Sequence, residues 1–334
     1  MNEEDNIVRT LKSLGLAPTD AAPTLTRLPG GVSSDVYRVD LPDGPACVKK
    51  VLAKLNVSAD WRAPVERVHS EAAWFRFASR VAPGNVPTVL AEDRASHLFV
   101  MNYFDPATYP CWKNLLRDGI VDPAFATKVG ETIARIHRAS AGPKIVQDEF
   151  STHDFFMALR IDPYLLTAAK AHPDRADRIR EIAGLLGRAR IALMHGDFSP
   201  KNILAGPDGP VILDAETACY GDPAFDLAFC LNHLLLKCVW KPPHTEDYCA
   251  SFAALRSAYL AMVDWEDPHG LERRASALLP ALLLARIDGK SPVEYLTAPR
   301  DLEFVRSTAR DYLARPELTL EEIRQDWEAK ASAR

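Results

Sequence analysis

The chain has 334 residues, 47% of them hydrophobic and 25% charged, an ordinary globular composition able to bury a sizeable core. Its 45 acidic residues against 40 lysines and arginines leave a formal net charge of -5, which gives no electrostatic reason to expect a nucleic acid as partner. The opening "MNEEDNIVRT" is acidic and lacks the apolar stretch of a secretory signal, and no run approaches the roughly 18 apolar residues of a membrane span.

The length predicts two domains, or one domain with two lobes. The first, 1–104, reads as strands. "TLTRL" (24–28), "DVYRVDL" (35–41) and "ACVKKVL" (46–52) are separated by "PGGVSS" and "PDGP", and Asp43-Gly44 is a hairpin signal. A helix over 64–80 follows, with Val65, Val68, Ala72, Phe75 and Ser79 on one stripe. At about 100° per residue Glu71 falls beside that stripe and Glu66 nearly opposite. "VPTVLAED" and "HLFVMNYF" (97–104) read as two more strands.

From 105 to 334 the pattern is mainly helical, with 123–140, 174–190 and most of 223–334 carrying helical spacing. The exception is an island of short apolar runs, "IALM" (191–194), "NILA" (202–205) and "PVILDAE" (210–216), the last two joined by "GPDG". The six cysteines are scattered without a CxxC pair, so reduced thiols in a cytoplasmic setting are expected. Cys230, His233, Cys238, His244 and Cys249 lack the paired spacings of zinc modules and read as helix packing. Oligomeric state is open.

The stretch "LMHGDFSPKNIL" (193–204) holds a polar knot between two apolar ends. Asp197, Asn202 and Asp214 fall within twenty residues, and a hairpin returns the third beside the second. Oxygen-bearing side chains so placed, Asn202 and Asp214 among them, can make a site for a hard cation such as magnesium. Asp197 is then left to orient or deprotonate an acceptor hydroxyl. A metal-dependent hydrolase would need further ligands near 195–216, where only His195 and Glu216 are available.

"HGDFSPKN" followed by "ILDAE" resembles the catalytic loop of the aminoglycoside phosphotransferase and choline kinase family, and the stretch 212–236 also resembles methylthioribose kinases. The resemblance covers roughly 20–290. It implies an α+β, protein-kinase-like two-lobe fold: an N-terminal nucleotide-binding lobe of antiparallel sheet plus helix, and a C-terminal, mainly helical lobe for catalysis and acceptor binding. "ACVK" resembles the strand of the phosphate-binding lysine, here Lys49, and Glu71 stands where its helix partner is expected. Lys50 is its neighbour, but in a strand the two point to opposite faces. "LPGGVSSDVYRV" matches the nucleotide loop, so Gly30, Gly31, Ser33 and Ser34 are expected to cover the phosphates. "LFVMNYF" resembles the hinge behind adenine, with Met101 and Tyr103. The GxGxxG of protein kinases is absent, as is an activation segment with APE.

The resemblance thus implies a kinase moving the γ-phosphoryl group of ATP, with Mg2+, to a hydroxyl of a small metabolite, a sugar or amino alcohol, with Asp197 as base. An aminoglycoside-modifying phosphotransferase and a non-catalytic nucleotide-binding regulator are the alternatives. No nucleic-acid or membrane partner is expected. Glu216, Arg286 and Asp288 are the acceptor candidates. His195 is expected to brace the loop, Asp222 and Asp226 to brace a helix start by capping, and His137 to be packed. Acids in 244–272 are matched by Lys237, Lys241, Arg256, Arg273 and Arg274, so no single-signed funnel is evident.

Overall fold

A computed structural model describes residues 3–20, 22–29, 34–52 and 64–334. Strands β1 (Leu25–Arg27), β2 (Ser34–Leu41), β3 (Gly44–Val51), β4 (Val89–Asp93) and β5 (Leu98–Asn102) form an antiparallel sheet in the order β1-β2-β3-β5-β4. Gly44 closes the β2–β3 hairpin at φ +119°, a value that only glycine adopts without strain.

Period-two alternation gives this sheet two buried faces. Val39, Ala46, Val48, Leu98 and Val100 pack with Ile7 and Leu11 of helix α1 (Glu3–Ser13). Cys47, Val51, Phe99 and Met101 face the other way, with Val68, Ala72 and Phe75 of helix α2 (Arg67–Val81). Helix α1 is absent from the sequence reading, because an acidic 11-residue segment with few apolar positions is stabilised by docking more than by propensity. Glu71 of α2 is buried and Glu66, the residue just before the helix, is exposed, as the helical angle predicts.

The second part is built of helices. The Pro123–Ser140, Ala224–Trp240, Thr245–Ala261 and Pro268–Asp288 helices are its larger members. Ala224–Trp240 is buried almost all round, which explains its unbroken apolar character. Two small ladders interrupt the helices. Strand β6 (Ala192–Met194) pairs with β9 (Cys219–Gly221), and β7 (Ile203–Gly206) pairs with β8 (Gly209–Ile212). The expected 210–216 strand therefore ends at Ile212. Asp214 lies beyond it in the left-handed region, at φ +68°. Residues Met157–Leu166 are π-helical, with Pro163 inside, a residue that cannot donate a backbone hydrogen bond.

Among the described residues no helix is long and apolar enough to cross a membrane, and no cluster of His, Cys, Asp and Glu could alone hold a metal. Of the cysteines once weighed for zinc, Cys238 and Cys249 touch in the buried core, with sulfurs 3.8 Å apart.

Candidate active site

A cavity of about 720 Å3 opens between the sheet and the helical part. Leu28, Ser34, Val36, Cys47, Met101 and Tyr103 line its sheet side, and Asp197, Lys201, Asn202, Asp214, Glu216 and Arg286 line the opposite side. Lys49 and Glu71 sit at the junction. Gly30, Gly31 and Ser33 lie outside the described residues.

Strand alternation sends Lys49 into this cavity and Lys50 to the other face, where it pairs with Glu3 of α1. The Lys49 ammonium lies 2.8 Å from Oε1 and 2.7 Å from Oε2 of Glu71, and also pairs with Asp214. Burial works against the lysine's charge, but Asp214 and Glu71 outweigh it and hold the ammonium protonated. Burial pushes Glu71 up to about 8, against the pull of Lys49. Both partners move upward because burial dominates at the carboxyl, whereas two carboxylates act on one ammonium. Burial would also raise Asp214, but Lys49 and Lys201 bring it well below the usual carboxylate range.

The catalytic-loop candidate is tightly held. Gly196 has φ +79°, and a Cβ there would lie 2.6 Å from the Thr217 carbonyl and hydroxyl oxygens, so no other residue fits. The backbone N–H groups of His195 and Gly196 donate to the two oxygens of Asp226, at 2.6 and 2.9 Å. His137 joins the same carboxylate at 3.1 Å and meets the Tyr259 hydroxyl at 2.7 Å. Asp226 thus braces the loop and does not cap its own helix. Asp222 does act at the helix start, accepting from the Ala224 N–H at 3.0 Å, and it is clamped by Arg274.

His195 donates from Nε2 to the Leu213 carbonyl at 2.9 Å and accepts the Asp197 N–H at Nδ1, 3.1 Å. Both bonds suit a neutral ring, and burial lowers its pKa accordingly. It links the loop to the strand end that carries Asp214.

Asp197 is only 2% exposed and has three polar partners. Arg160 lies 3.1 Å from Oδ1, while Lys201 and the Asn202 amide lie 2.9 and 2.8 Å from Oδ2. Burial would raise its pKa, but the charges of Arg160 and Lys201 prevail and hold it below the ordinary value. Arg160 also donates to the Gly196 carbonyl at 2.7 Å, so the π-helical stretch clamps the loop. Neither Arg160 nor Lys201 was singled out in the sequence. Lys201 stands inside "SPKN", whereas Arg160 gives only the weak signal of one arginine in an apolar run.

Arg67 is a third addition, fully buried and donating from Nε to Glu216 at 2.9 Å. It stands four residues before Glu71, on the same face of α2. Glu216 itself lines the cavity. Arg286 also lines it, bonded to the Tyr164 hydroxyl at 3.1 Å and to the Ser291 carbonyl. Asp288 does not. It is turned to Arg306, at 2.9 and 3.0 Å, and to His172 at 3.0 Å. The expectation that Asp288 meets an acceptor is therefore corrected: two residues beyond Arg286 on a helix, it points about 200° away.

Asn202 and Asp214 form a hard-oxygen pair beside the cavity. The Asn202 N–H2 is fully used by the Asp197 carboxylate and by its backbone carbonyl at 2.9 Å, and among the described residues no donor is bonded to Oδ1. An amide oxygen and an ionised carboxylate fit a magnesium ion, which takes few protein oxygens and keeps water or phosphate at its other positions.

Comparison with known proteins follows the same lines. The chain is 26% identical over 242 residues to methylthioribose kinase 1 of Oryza sativa subsp. japonica, covering 64% of this chain and 56% of the rice protein. It is 29% identical over 226 residues to a probable ketoamine kinase of Escherichia coli O157:H7, covering 61% and 72%. The chain thus spans a little over half the length of the rice kinase. The fold is shared with a choline kinase from Cryptosporidium parvum, at TM-score 0.56 and 12% identity over 97% of this chain and 98% of that one. This is the α+β, protein-kinase-like fold. Residues 24–256 match the phosphotransferase enzyme family, and the chain belongs to that family.

Proposed function

We propose that the chain is a small-molecule kinase that transfers the γ-phosphoryl group of ATP to a hydroxyl of a small metabolite. The observation that carries this reading is the convergence of Lys49, Asp197, Asn202 and Asp214 on one cavity. Phosphoryl transfer asks mainly for positioning and charge neutralisation, and these are the groups it needs.

Lys49, fixed by Glu71, is the cation for the α- and β-phosphates, with Ser34 and the 30–33 loop covering them. Met101 and Tyr103 form the wall for the base. Asn202 and Asp214 would hold magnesium, which neutralises phosphate charge when bound. Asp197 accepts a hydrogen bond from the acceptor hydroxyl and directs its lone pair toward the phosphorus. Its depressed pKa makes it a weak base, suited to a transfer in which the hydroxyl proton leaves late. Arg160 and Lys201 keep Asp197 ionised. Glu216 and Arg286 are the acceptor-side candidates.

The aminoglycoside alternative asks for an acid-lined acceptor end. Here Lys113, Arg160, Lys201 and Arg286 line that end beside Glu216 and Glu294, a mixed lining without the acidic excess that a polycationic acceptor needs. A non-catalytic regulator is disfavoured because lysine, base candidate and metal candidates are all present.

The test is a mass-spectrometric acceptor screen with magnesium and ATP, over methylthioribose, other sugars, hydroxy acids, amino alcohols and aminoglycosides. A gain of one phosphoryl group on a compound is the expected result. Absence of any magnesium-dependent nucleotide binding would overturn the reading.

A further inference from the structure

The helical wall of the cavity continues into a side recess of about 30 Å3, lined by Lys113, Pro200, Lys201, His233, Lys237, Arg286, Glu294 and Tyr295. Five of these residues, Lys113, Lys201, His233, Arg286 and Glu294, also line the main cavity, so the two spaces adjoin. Lys201 connects the recess to Asp197 through its 2.9 Å ion pair.

The polar groups of this recess are unevenly matched. Lys113 pairs with Glu294, and Lys201 with Asp197. Lys237 is 1% exposed and, among the described residues, its ammonium forms no ion pair and no hydrogen bond. Its ammonium lies 4.8 Å from the centre of the Tyr295 ring and 5.3 Å from that of Trp240, two rings stacked on each other. Four of the acids of 244–272 are held by arginines: Arg274 holds Glu266, Arg273 holds Asp267, Arg256 holds Glu272 and Arg138 pairs with Asp264. The sequence reading set Lys237 among the cations matching these acids; in the fold it pairs with none of them.

Arg286 is 9% exposed and likewise has no carboxylate partner, being bonded to Tyr164 and Ser291. Its Nε and the Tyr295 hydroxyl are buried without any hydrogen-bond partner. Two cations without a bonded carboxylate and two unused polar atoms thus border one small space, whose own acid, Glu294, is held by Lys113. Aromatic faces compensate part of the cost of burying an ammonium, but they do not replace an anion. Burial, followed by the charge of Lys113, lowers the pKa of Lys237 to about 8, so the group is still mainly charged at neutral pH.

We infer that Lys237, Arg286 and Tyr295 form an anion subsite of the acceptor pocket, and that the acceptor is a hydroxy acid whose carboxylate enters this recess while its hydroxyl meets Asp197. This rests on the kinase reading and narrows its substrate class. A recess this small suits a carboxylate, and its link through Lys201 suits a compact molecule.

The test uses the full chain with saturating magnesium and a non-hydrolysable ATP analogue, and again without nucleotide. Glycerate, 4-hydroxybutyrate and gluconate are titrated calorimetrically against glycerol, 1,4-butanediol and glucitol, their neutral counterparts. At least one acid is expected to bind about tenfold or more tightly than its alcohol, because an unpaired buried charge gains its partner only from the acid. Lys237→Met should abolish that preference and leave nucleotide affinity unchanged, and Lys237→Arg should retain it. The melting temperature of Lys237→Met, equal to or above wild type, shows that the loss is not unfolding. Equal or weaker binding of every acid, or a preference that survives in Lys237→Met, would overturn the subsite. Failure of the kinase reading is separate: it appears as loss of magnesium-dependent nucleotide binding in the wild type, whereas acid binding is still read in the nucleotide-free titration.

Discussion

Lys49 and Asp214 stand 165 residues apart in the chain and share an ion pair across the cavity. The same ammonium holds the fully buried Glu71. Removing it in Lys49→Met leaves the buried Glu71 and Asp214 without their shared cation. A loss of about 3–5 kcal/mol is expected, the cost of breaking a buried pair from one side. The loss should be smaller at pH 5 than at pH 8, since Glu71, already raised to about 8, is protonated more readily in acid. Urea denaturation at the two pH values checks this, and an equal loss at both would contradict it.

Asp226 carries the loop in another way. One carboxylate accepts from two successive backbone N–H groups and from His137. Asp226→Asn replaces one acceptor oxygen by a donor and strands at least one buried N–H. The expected cost is about 2–3 kcal/mol. Turnover should fall with it, because Gly196 and Asp197 lose their support, while nucleotide affinity stays within about threefold since Asp226 lies outside the cavity lining. Comparing kcat with nucleotide Kd separates the two effects.

Lys237 gives a pH signature. Its folded-state pKa is about 8 against an ordinary 10.5. Between these values the unfolded chain binds more protons than the folded one, so this group makes stability rise with pH across that window. Below pH 8 both states are protonated and the folded state bears the full burial cost. Lys237→Met should therefore raise stability at pH 7, on the order of 2–3 kcal/mol, and remove this rise between pH 8 and 10.5. Denaturation midpoints of both proteins from pH 6 to 10.5 provide the check. A lower midpoint for the variant at pH 7 would contradict an uncompensated charge.

The residues that converge on the cavity differ in how far the sequence discloses them. Asp197, Asn202 and Asp214 are legible because a hairpin fixes their separation locally. The direction of Lys49 follows from strand alternation, and that of Glu71 from the helical angle. Arg160 is not legible in this way. Its role depends on a π-helical stretch 37 residues before Asp197, and no local period announces such a contact. Arg67 shares that difficulty, since its partner Glu216 lies 149 residues away. Asp288 was misread because sequence proximity to Arg286 does not make a common face. The lone state of Lys237 is the clearest case: along 237–274 five lysines and arginines stand beside six acids, whereas in the fold this lysine pairs with none of them.

The central claim is that Asp197 serves phosphoryl transfer from a bound nucleotide. The most direct measurement is phosphoryl transfer to the acceptor found by the screen, in wild type and in Asp197→Asn, with nucleotide affinity measured in both. The account predicts a loss of turnover of about 100-fold or more, the scale of a lost acid–base group, with nucleotide affinity retained within about threefold because the proposed nucleotide contacts, Lys49 and the sheet, are left unchanged. Full turnover in Asp197→Asn at equal nucleotide occupancy would contradict it.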